Sequence, residues 1–360
     1  MPAHKIAVLP GDGIGKEVVP AAQQVLDKAA EMWGFELTWT EFPWSCEYFR
    51  EHNRMMPTDA IDQLAAFDEV FLGAVGDPAI PDHVSLWGLL IPIRRSFRQY
   101  VNLRPIKLLD GIQSVLRDVA EPIDFLVVRE NNEGEYSEVG GRLYEGTPQE
   151  LAVQESIFTR TGVERVMEYA FDLAAGRGGK VVSATKSNGI IHTMPFWDQI
   201  GREVAARYPD IELEEAHIDA LAAHFTLRPT TFDVVVASNL FGDILTDLGA
   251  ALVGSIGIAP SANLNPERAF PSMFEPIHGS APDIAGKGVA NPIGQIWSGA
   301  MMLEHIGYPE AGEDILAAVE DVLAGSQVRT PDLGGTAGTS EVTDAVVAAL
   351  ERTSNRRDRA

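Results

Sequence analysis

Ser238-Asn239-Leu240-Phe241-Gly242-Asp243-Ile244-Leu245-Thr246-Asp247-Leu248-Gly249-Ala250-Ala251-Leu252-Val253-Gly254 is an apolar run interrupted by two aspartates four residues apart. On a helix, positions four apart lie one above the other on one face, so Asp243 and Asp247 would point at one spot. Immediately upstream, residues 232–237 (Phe-Asp-Val-Val-Val-Ala) form a β-branched run that predicts a buried strand. A helix entered from the carboxyl end of a strand is where open α/β sheets place their ligands. Two hard oxygen donors there suit Mg²⁺ or Mn²⁺, which take one or two protein carboxylates and leave the remaining positions to water and substrate. The competing reading is a solvent-facing amphipathic helix. Like charges at this spacing cost only a few tenths of a kcal/mol, so repulsion does not decide between the two.

The wider composition narrows the classes. The chain has 360 residues, 45% hydrophobic and 22% charged, enough for two domains or one large one. A formal charge of -24 argues against nucleic-acid and anionic-membrane partners, because both require a basic face. The lone cysteine, Cys46, excludes an internal disulfide and fits a reducing compartment. The first ten residues lack the apolar length of a secretory signal, and the most apolar stretch, 234–260, carries Asp243 and Asp247, which are costly in lipid. The expectation is a soluble, cytoplasmic protein.

Strand-like runs at 5–9, 35–42, 69–75, 125–129, 180–184 and 234–237 alternate with helical periodicity at 18–32, 58–67, 163–175, 196–208, 296–305 and 315–323. That alternation predicts an α/β architecture with a mainly parallel sheet. Gly11-Asp12-Gly13-Ile14-Gly15 matches only the first part of the dinucleotide fingerprint. A phosphate cradle and a tight turn that needs glycine torsions both remain open for it. Residues 135–160, rich in glycine and polar residues, predict a protruding arm better explained by packing on a second subunit. The last ten residues are charged and aperiodic, and are expected to fray.

Several residues suggest chemistry. Arg94, Arg104 in Asn-Leu-Arg-Pro and Arg129 in Val-Val-Arg-Glu-Asn present planar forks suited to small di-acids, although any one of them could be an ordinary surface arginine. Tyr136 follows as a candidate proton donor. Lys186, one of seven lysines, ends a buried run and is either a proton acceptor or a solvated loop residue. Asp219, at the end of another strand-like run, could be a third metal carboxylate. Residues 274–292 form a long loop of Gly, Pro, Ser and Ala of the kind that brings backbone amides close to a ligand.

Together, Asn-Leu-Arg-Pro, Val-Arg-Glu-Asn with Gly-Glu-Tyr-Ser, Thr-Lys-Ser-Asn, Asn-Leu-Phe-Gly-Asp-Ile-Leu-Thr-Asp and His-Gly-Ser-Ala-Pro-Asp-Ile-Ala-Gly resemble the β-decarboxylating dehydrogenase family, over nearly the whole chain. The resemblance implies the isopropylmalate dehydrogenase-like fold: two α/β domains sharing a continuous, mainly parallel sheet, and not a Rossmann fold. Residues 1–99 with 251–360 would form the cofactor-side domain, and 100–250 a dimerising one. It implies that Arg94, Arg104 and Arg129 hold substrate carboxylates and that Asp219, Asp243 and Asp247 hold Mg²⁺ or Mn²⁺. Lys186 would take the hydroxyl proton and Tyr136 would protonate the carbon left after CO₂ departs. Lys186 and Asp219 would come from the partner of a homodimer with shared active sites. It assigns NAD to Asn188, Glu275, His278, Gly279, Ser280, Ala281, Asp283 and Asn291, which makes Gly11 to Gly15 a decoy as a pyrophosphate loop. An aspartate at 283 accepts from ribose hydroxyls and repels a 2′-phosphate, which favours NAD over NADP. K⁺ is a further cofactor that the resemblance leaves open.

Trp87 stands where isopropylmalate enzymes carry glutamate, and its bulk, with Leu90, would fill the space for a C3 substituent and favour D-malate or tartrate. The alternatives are that Trp87 is a core residue, and that Pro92 kinks this helix and displaces Leu90. Rival functions are 3-isopropylmalate dehydrogenase and, in another class, a non-catalytic regulatory subunit of a hetero-oligomer.

Overall fold

The computed structural model describes residues 1–117 and 122–357, with side chains to residue 352. The chain divides into two compact units, Met1–Gln99 with Leu108–Val119 and Ala250–Ala360, and Tyr100–Lys107 with Ala120–Gly249. The stretch from 108, which the sequence places with the second unit, therefore returns to the first.

In the first unit the strands run in the order Glu36–Glu41, Ala3–Gly11, Glu69–Ala74, Ser272–Pro276, Pro260–Leu264. The first three pairings are parallel and the last is antiparallel. Glu69–Ala74 is buried on both faces, as a parallel strand covered by helices must be. The helices Gly15–Trp33 and Ile293–His305 cover one face, and on the other Val70 and Leu72 pack in an apolar cluster with Leu64, Leu89, Ile93 and Phe97. The helix Ile293–His305 is apolar nearly all round, with its residues buried from Ile293 to Leu303.

In the second unit the order is Val101–Lys107, Asp124–Glu130, Val234–Ala237, Lys180–Thr185, Glu212–His217. Only the first pairing is antiparallel. The predicted strand 234–237 is fully buried and leads directly into the helix Asn239–Leu252, so the opening stretch folds as its pattern requires. Residues Gly140–Leu143 and Leu151–Gln154 pair as a separate antiparallel hairpin, exposed along both strands. Val139, Leu143, Tyr144, Leu151 and Val153 are exposed on this arm.

Two sequence expectations change, and a third, at Pro92, takes a specific form. The C-terminal helix extends over Thr339–Arg357, so the charged tail is helical through Arg357; residues 358–360 lie outside the described ones. Pro92 lies inside one continuous helical run made of Asp82–Ser85, Leu86–Leu90 and Ile91–Ser96, and the irregularity beside it is the π-helical turn Leu86–Leu90. Asp219 lies in the first turn of the helix Ile218–Leu227 and not at a strand end. Among the described residues no helix is long and apolar enough to cross a membrane.

Candidate active site

In the second unit, the strands Val101–Lys107 and Asp124–Glu130 carry Arg104 and Arg129, both buried, toward the helix Asn239–Leu252. Arg129 Nη1 donates to Asp243 Oδ1, and Arg104 Nη1 lies 3.5 Å from the same oxygen. Tyr136 Oη donates to Asp243 Oδ2 at 2.8 Å. Arg104 Nη1 also donates to Thr246 Oγ1 at 2.6 Å, and lies 4.0 Å from Asp247 Oδ1. Two arginines and a phenol thus converge on one carboxylate. The Asp247 side chain, 59% exposed, reaches toward solvent beside them.

The approach of Arg129 explains a glycine inside this helix. A Cβ at Gly242 would stand 2.6 Å from Arg129 Cγ and 2.7 Å from its Cβ, so no larger residue allows the arginine to lie flat on the helix. Asn239 fixes the other edge of that guanidinium. Its Oδ1 accepts from Arg129 Nη2 at 2.7 Å and Nε at 3.1 Å, while its Nδ2 donates to the Glu133 carbonyl at 3.3 Å. Glu135 closes the helix start, accepting from Ser238 Oγ at 2.8 Å and from the Leu240 N–H at 3.0 Å, where a carboxylate also meets the positive end of the helix dipole. The sequence reading did not single out Asn239 or Glu135. An Asn at the start of a helix after a buried strand is a signal, but it announces a cap and not a guanidinium clamp.

Burial raises the Tyr136 phenol above its ordinary value, with the Asp243 charge adding to the effect. Asp247, although its side chain reaches solvent, is covered enough on its inner side for partial burial to raise its carboxyl, which the Arg104 charge opposes. Lys186 Nζ pairs with Asp219 Oδ1 at 2.7 Å, and that hydrogen bond lowers the Asp219 carboxyl. Among the described residues no group of three or more His, Cys, Asp or Glu side chains comes together as a metal cage. Asp219 is thus engaged with Lys186 while Asp243 and Asp247 present a pair of carboxylates on one helical face. A hard carboxylate pair with an open side matches the donor set of Mg²⁺ or Mn²⁺, which complete their coordination with water and substrate. Asn188, just beyond Lys186, is exposed.

In the first unit, Arg94 Nη2 donates to Glu275 Oε1 at 2.7 Å, and Asn263 Nδ2 donates to the same oxygen at 2.7 Å. All three side chains are buried. Trp87 is half-buried, with the Arg95 guanidinium 5.0 Å from its ring centroid, a cation–π contact, whereas Leu90 packs on the apolar core that contains Leu89, Ile93 and Phe97. The core alternative therefore describes Leu90 better than Trp87.

The loop after Pro276 carries the residues expected to meet the dinucleotide. His278 is buried, with Nδ1 3.0 Å from the Gly279 carbonyl and Nε2 without a hydrogen-bond partner among the described residues. Burial lowers the His278 imidazole, so the ring is neutral near pH 7. A neutral buried ring with an unmet polar atom fits a ligand that supplies the missing partner. Asp283 is exposed, Ser280 and Asn291 are buried, and Ala281 takes a left-handed backbone at φ 39. Asn291 Nδ2 donates to Asp332 at 3.0 Å.

The glycine-rich turn packs against this loop. The Ile14 N–H donates to the Ser280 carbonyl at 2.9 Å, and a Cβ at Gly13 would come within 2.0 Å of that oxygen. Gly13 also has φ 53, so the close approach and the left-handed backbone both require glycine there. The packing alternative therefore accounts for the turn at Gly13.

The family described as isocitrate/isopropylmalate dehydrogenase matches residues 5–346. A protein of Bacillus subtilis (strain 168) named probable tartrate dehydrogenase/decarboxylase is 56% identical over 354 residues, covering 98% of this chain and 99% of its own. The D-malate dehydrogenase [decarboxylating] of Escherichia coli (strain K12) is 55% identical over 356 residues, covering 96% and 98%. Among solved structures, the isocitrate dehydrogenase from Methylococcus capsulatus superposes with a TM-score of 0.86 at 35% identity, over 96% of this chain and 99% of that one.

Proposed function

Because the chain belongs to the isocitrate/isopropylmalate dehydrogenase family, we propose that it is a metal-dependent, NAD-linked enzyme that oxidises D-malate to pyruvate and CO₂ and also turns over tartrate. Enzymes of this family generally use NAD and a divalent metal ion. The observation that carries the reading is the convergence of Arg104, Arg129 and Tyr136 on Asp243, with Asp247 beside it. Relatives named for tartrate and D-malate, at 55–56% identity over nearly their whole length, support the choice of a small 2-hydroxy di-acid.

Asp243 and Asp247 would hold Mg²⁺ or Mn²⁺, with Asp219 contributed by the partner of a homodimer that packs through the exposed arm. Such an ion, when bound, supplies Lewis-acid stabilisation of negative charge developing at the hydroxyl oxygen of the substrate. Arg94, Arg104 and Arg129 are assigned to the substrate carboxylates, the groups that a buried guanidinium matches in charge and shape. NAD, when bound, would supply the acceptor for the C2 hydride, and Lys186 of the partner subunit would take the hydroxyl proton, directly or through water. The C3–carboxylate bond then breaks, CO₂ leaves, and the electron pair remains on C3 as part of an enolate. The Tyr136 hydroxyl gives its proton to C3, completing pyruvate. NAD would lie on the 278–291 loop, which carries the buried His278 Nε2, unmet among the described residues, and the exposed Asp283 carboxylate. The reaction is expected in the cytoplasm.

Parallel assays of NADH formation with D-malate, L-tartrate, meso-tartrate, 3-isopropylmalate and isocitrate test the assignment. D-malate is expected to react fastest. A preference for 3-isopropylmalate that precedes any Trp87→Glu change would discard the role given to Trp87, and no turnover with any of the five would return the regulatory-subunit reading.

A further inference from the structure

The 278–291 loop has little regular structure, yet it is tied down at its far end by a side chain from another element. Glu17, in the first turn of the helix Gly15–Trp33, accepts from two backbone N–H groups of the loop: Gly286 N to Oε1 at 2.6 Å and Gly288 N to Oε2 at 2.9 Å. An acidic residue in a first helical turn ordinarily complements the helix dipole and leaves its oxygens to water. Here both oxygens are committed to one loop. The same loop is gripped at its near end by the Ile14 N–H on the Ser280 carbonyl, and at its exit by the Thr339 N–H on the Gly288 carbonyl at 2.8 Å. Between these points Ala281, Ile284 and Ala285 pack on Ile14, Val18 and Ala290.

We propose that Glu17 is a positioning residue for the dinucleotide: it touches no reacting atom, and it holds the Gly286–Gly288 segment in the ligand-ready arrangement before the dinucleotide arrives. The inference rests on the reading of 278–291 as the NAD loop. A loop ordered in advance gives up less conformational freedom on binding, so affinity depends on the clamp while the chemical step does not. Losing two backbone-to-carboxylate hydrogen bonds is expected to weaken NADH binding about tenfold.

The test measures NADH affinity by its fluorescence in wild type, Glu17→Ala and Asp283→Ala, together with KM for NAD, kcat, and amide hydrogen exchange at Gly286 and Gly288. Glu17→Ala is expected to raise the NADH Kd and the KM for NAD about tenfold, to leave kcat at saturating NAD within about twofold, and to speed exchange at both amides. If Asp283→Ala weakens NADH while Glu17→Ala leaves it unchanged, the role of Glu17 is overturned and the loop assignment stands. If neither variant changes NADH affinity, the loop assignment fails and takes the proposal with it. Should Glu17→Ala not fold, Glu17→Gln keeps the side-chain volume and one acceptor oxygen; wild-type NADH affinity in that variant with wild-type exchange at both glycines overturns the proposal.

Discussion

Glu130 offers a quantitative test of how the second unit is held together. Its carboxylate is 1% exposed and accepts from the Asn132 N–H at 3.1 Å and the Glu133 N–H at 2.6 Å, so it ties the turn that leads from Arg129 to Tyr136. Burial pushes the carboxyl from 4.5 up to about 7; those N–H groups and Arg165, 3.9 Å away, oppose the rise, while the Glu133 charge adds to it. The folded protein therefore keeps this proton at pH values where the unfolded chain has released it. Its contribution to stability is complete below about pH 4.5 and is lost as pH rises through about 7. At ~1.4 kcal/mol per pH unit, the loss across that window is roughly 3 kcal/mol. Glu130→Gln fixes a neutral side chain and removes the dependence. Urea unfolding of both proteins from pH 5 to pH 8 should show the variant gaining on wild type by roughly 2–3 kcal/mol. Other titrating groups cancel in the difference. A gap that stays constant across this range would refute the reasoning.

Gly242→Ala sets about 1 kcal/mol of improved helix propensity against overpacking of Arg129, which costs about 1–3 kcal/mol; with a Cβ only 2.6 Å from Arg129 Cγ, overpacking wins. The variant should lose modest stability and raise the KM for D-malate about tenfold or more, and an unchanged KM would contradict the packing account. Asn239→Ala removes an acceptor shared by two guanidinium N–H groups; it is expected to cost about 1.5–3 kcal/mol in unfolding experiments and to raise the same KM. Co-refolding Lys186→Ala with Tyr136→Phe, each inactive alone, should restore about a quarter of wild-type turnover if each site draws Lys186 from the partner, since half the dimers then carry one intact site. No recovery from a mixture shown to contain the heterodimer would place both residues of a site on one chain.

The parts of this account that were legible in the sequence are those written locally. The β-branched run 234–237 and the apolar frame around Asp243 and Asp247 specify a buried strand and the helix after it without reference to anything distant. What was not legible depends on residues far apart in the chain. Asn239 meets Arg129 across 110 positions, and Glu17 meets Gly286 across 269. No periodicity encodes such pairs, and each residue has a plainer local role as a helix-start polar group. The turn at Gly11 to Gly15 left two readings open because glycine serves a phosphate and a close backbone contact equally well. The 2.0 Å that a Cβ at Gly13 would leave to the Ser280 carbonyl accounts for it by contact. Pro92 announced an irregular helix but not that the irregularity would be the π-helical turn Leu86–Leu90.

The central claim is a metal-dependent oxidative decarboxylation, and product stoichiometry tests it most directly. With D-malate, NAD and Mn²⁺, the account predicts NADH, pyruvate and CO₂ in a 1:1:1 ratio, with all three abolished by a chelator and restored by excess Mn²⁺. NADH formed without CO₂, or turnover that persists in the metal-free protein, would contradict it.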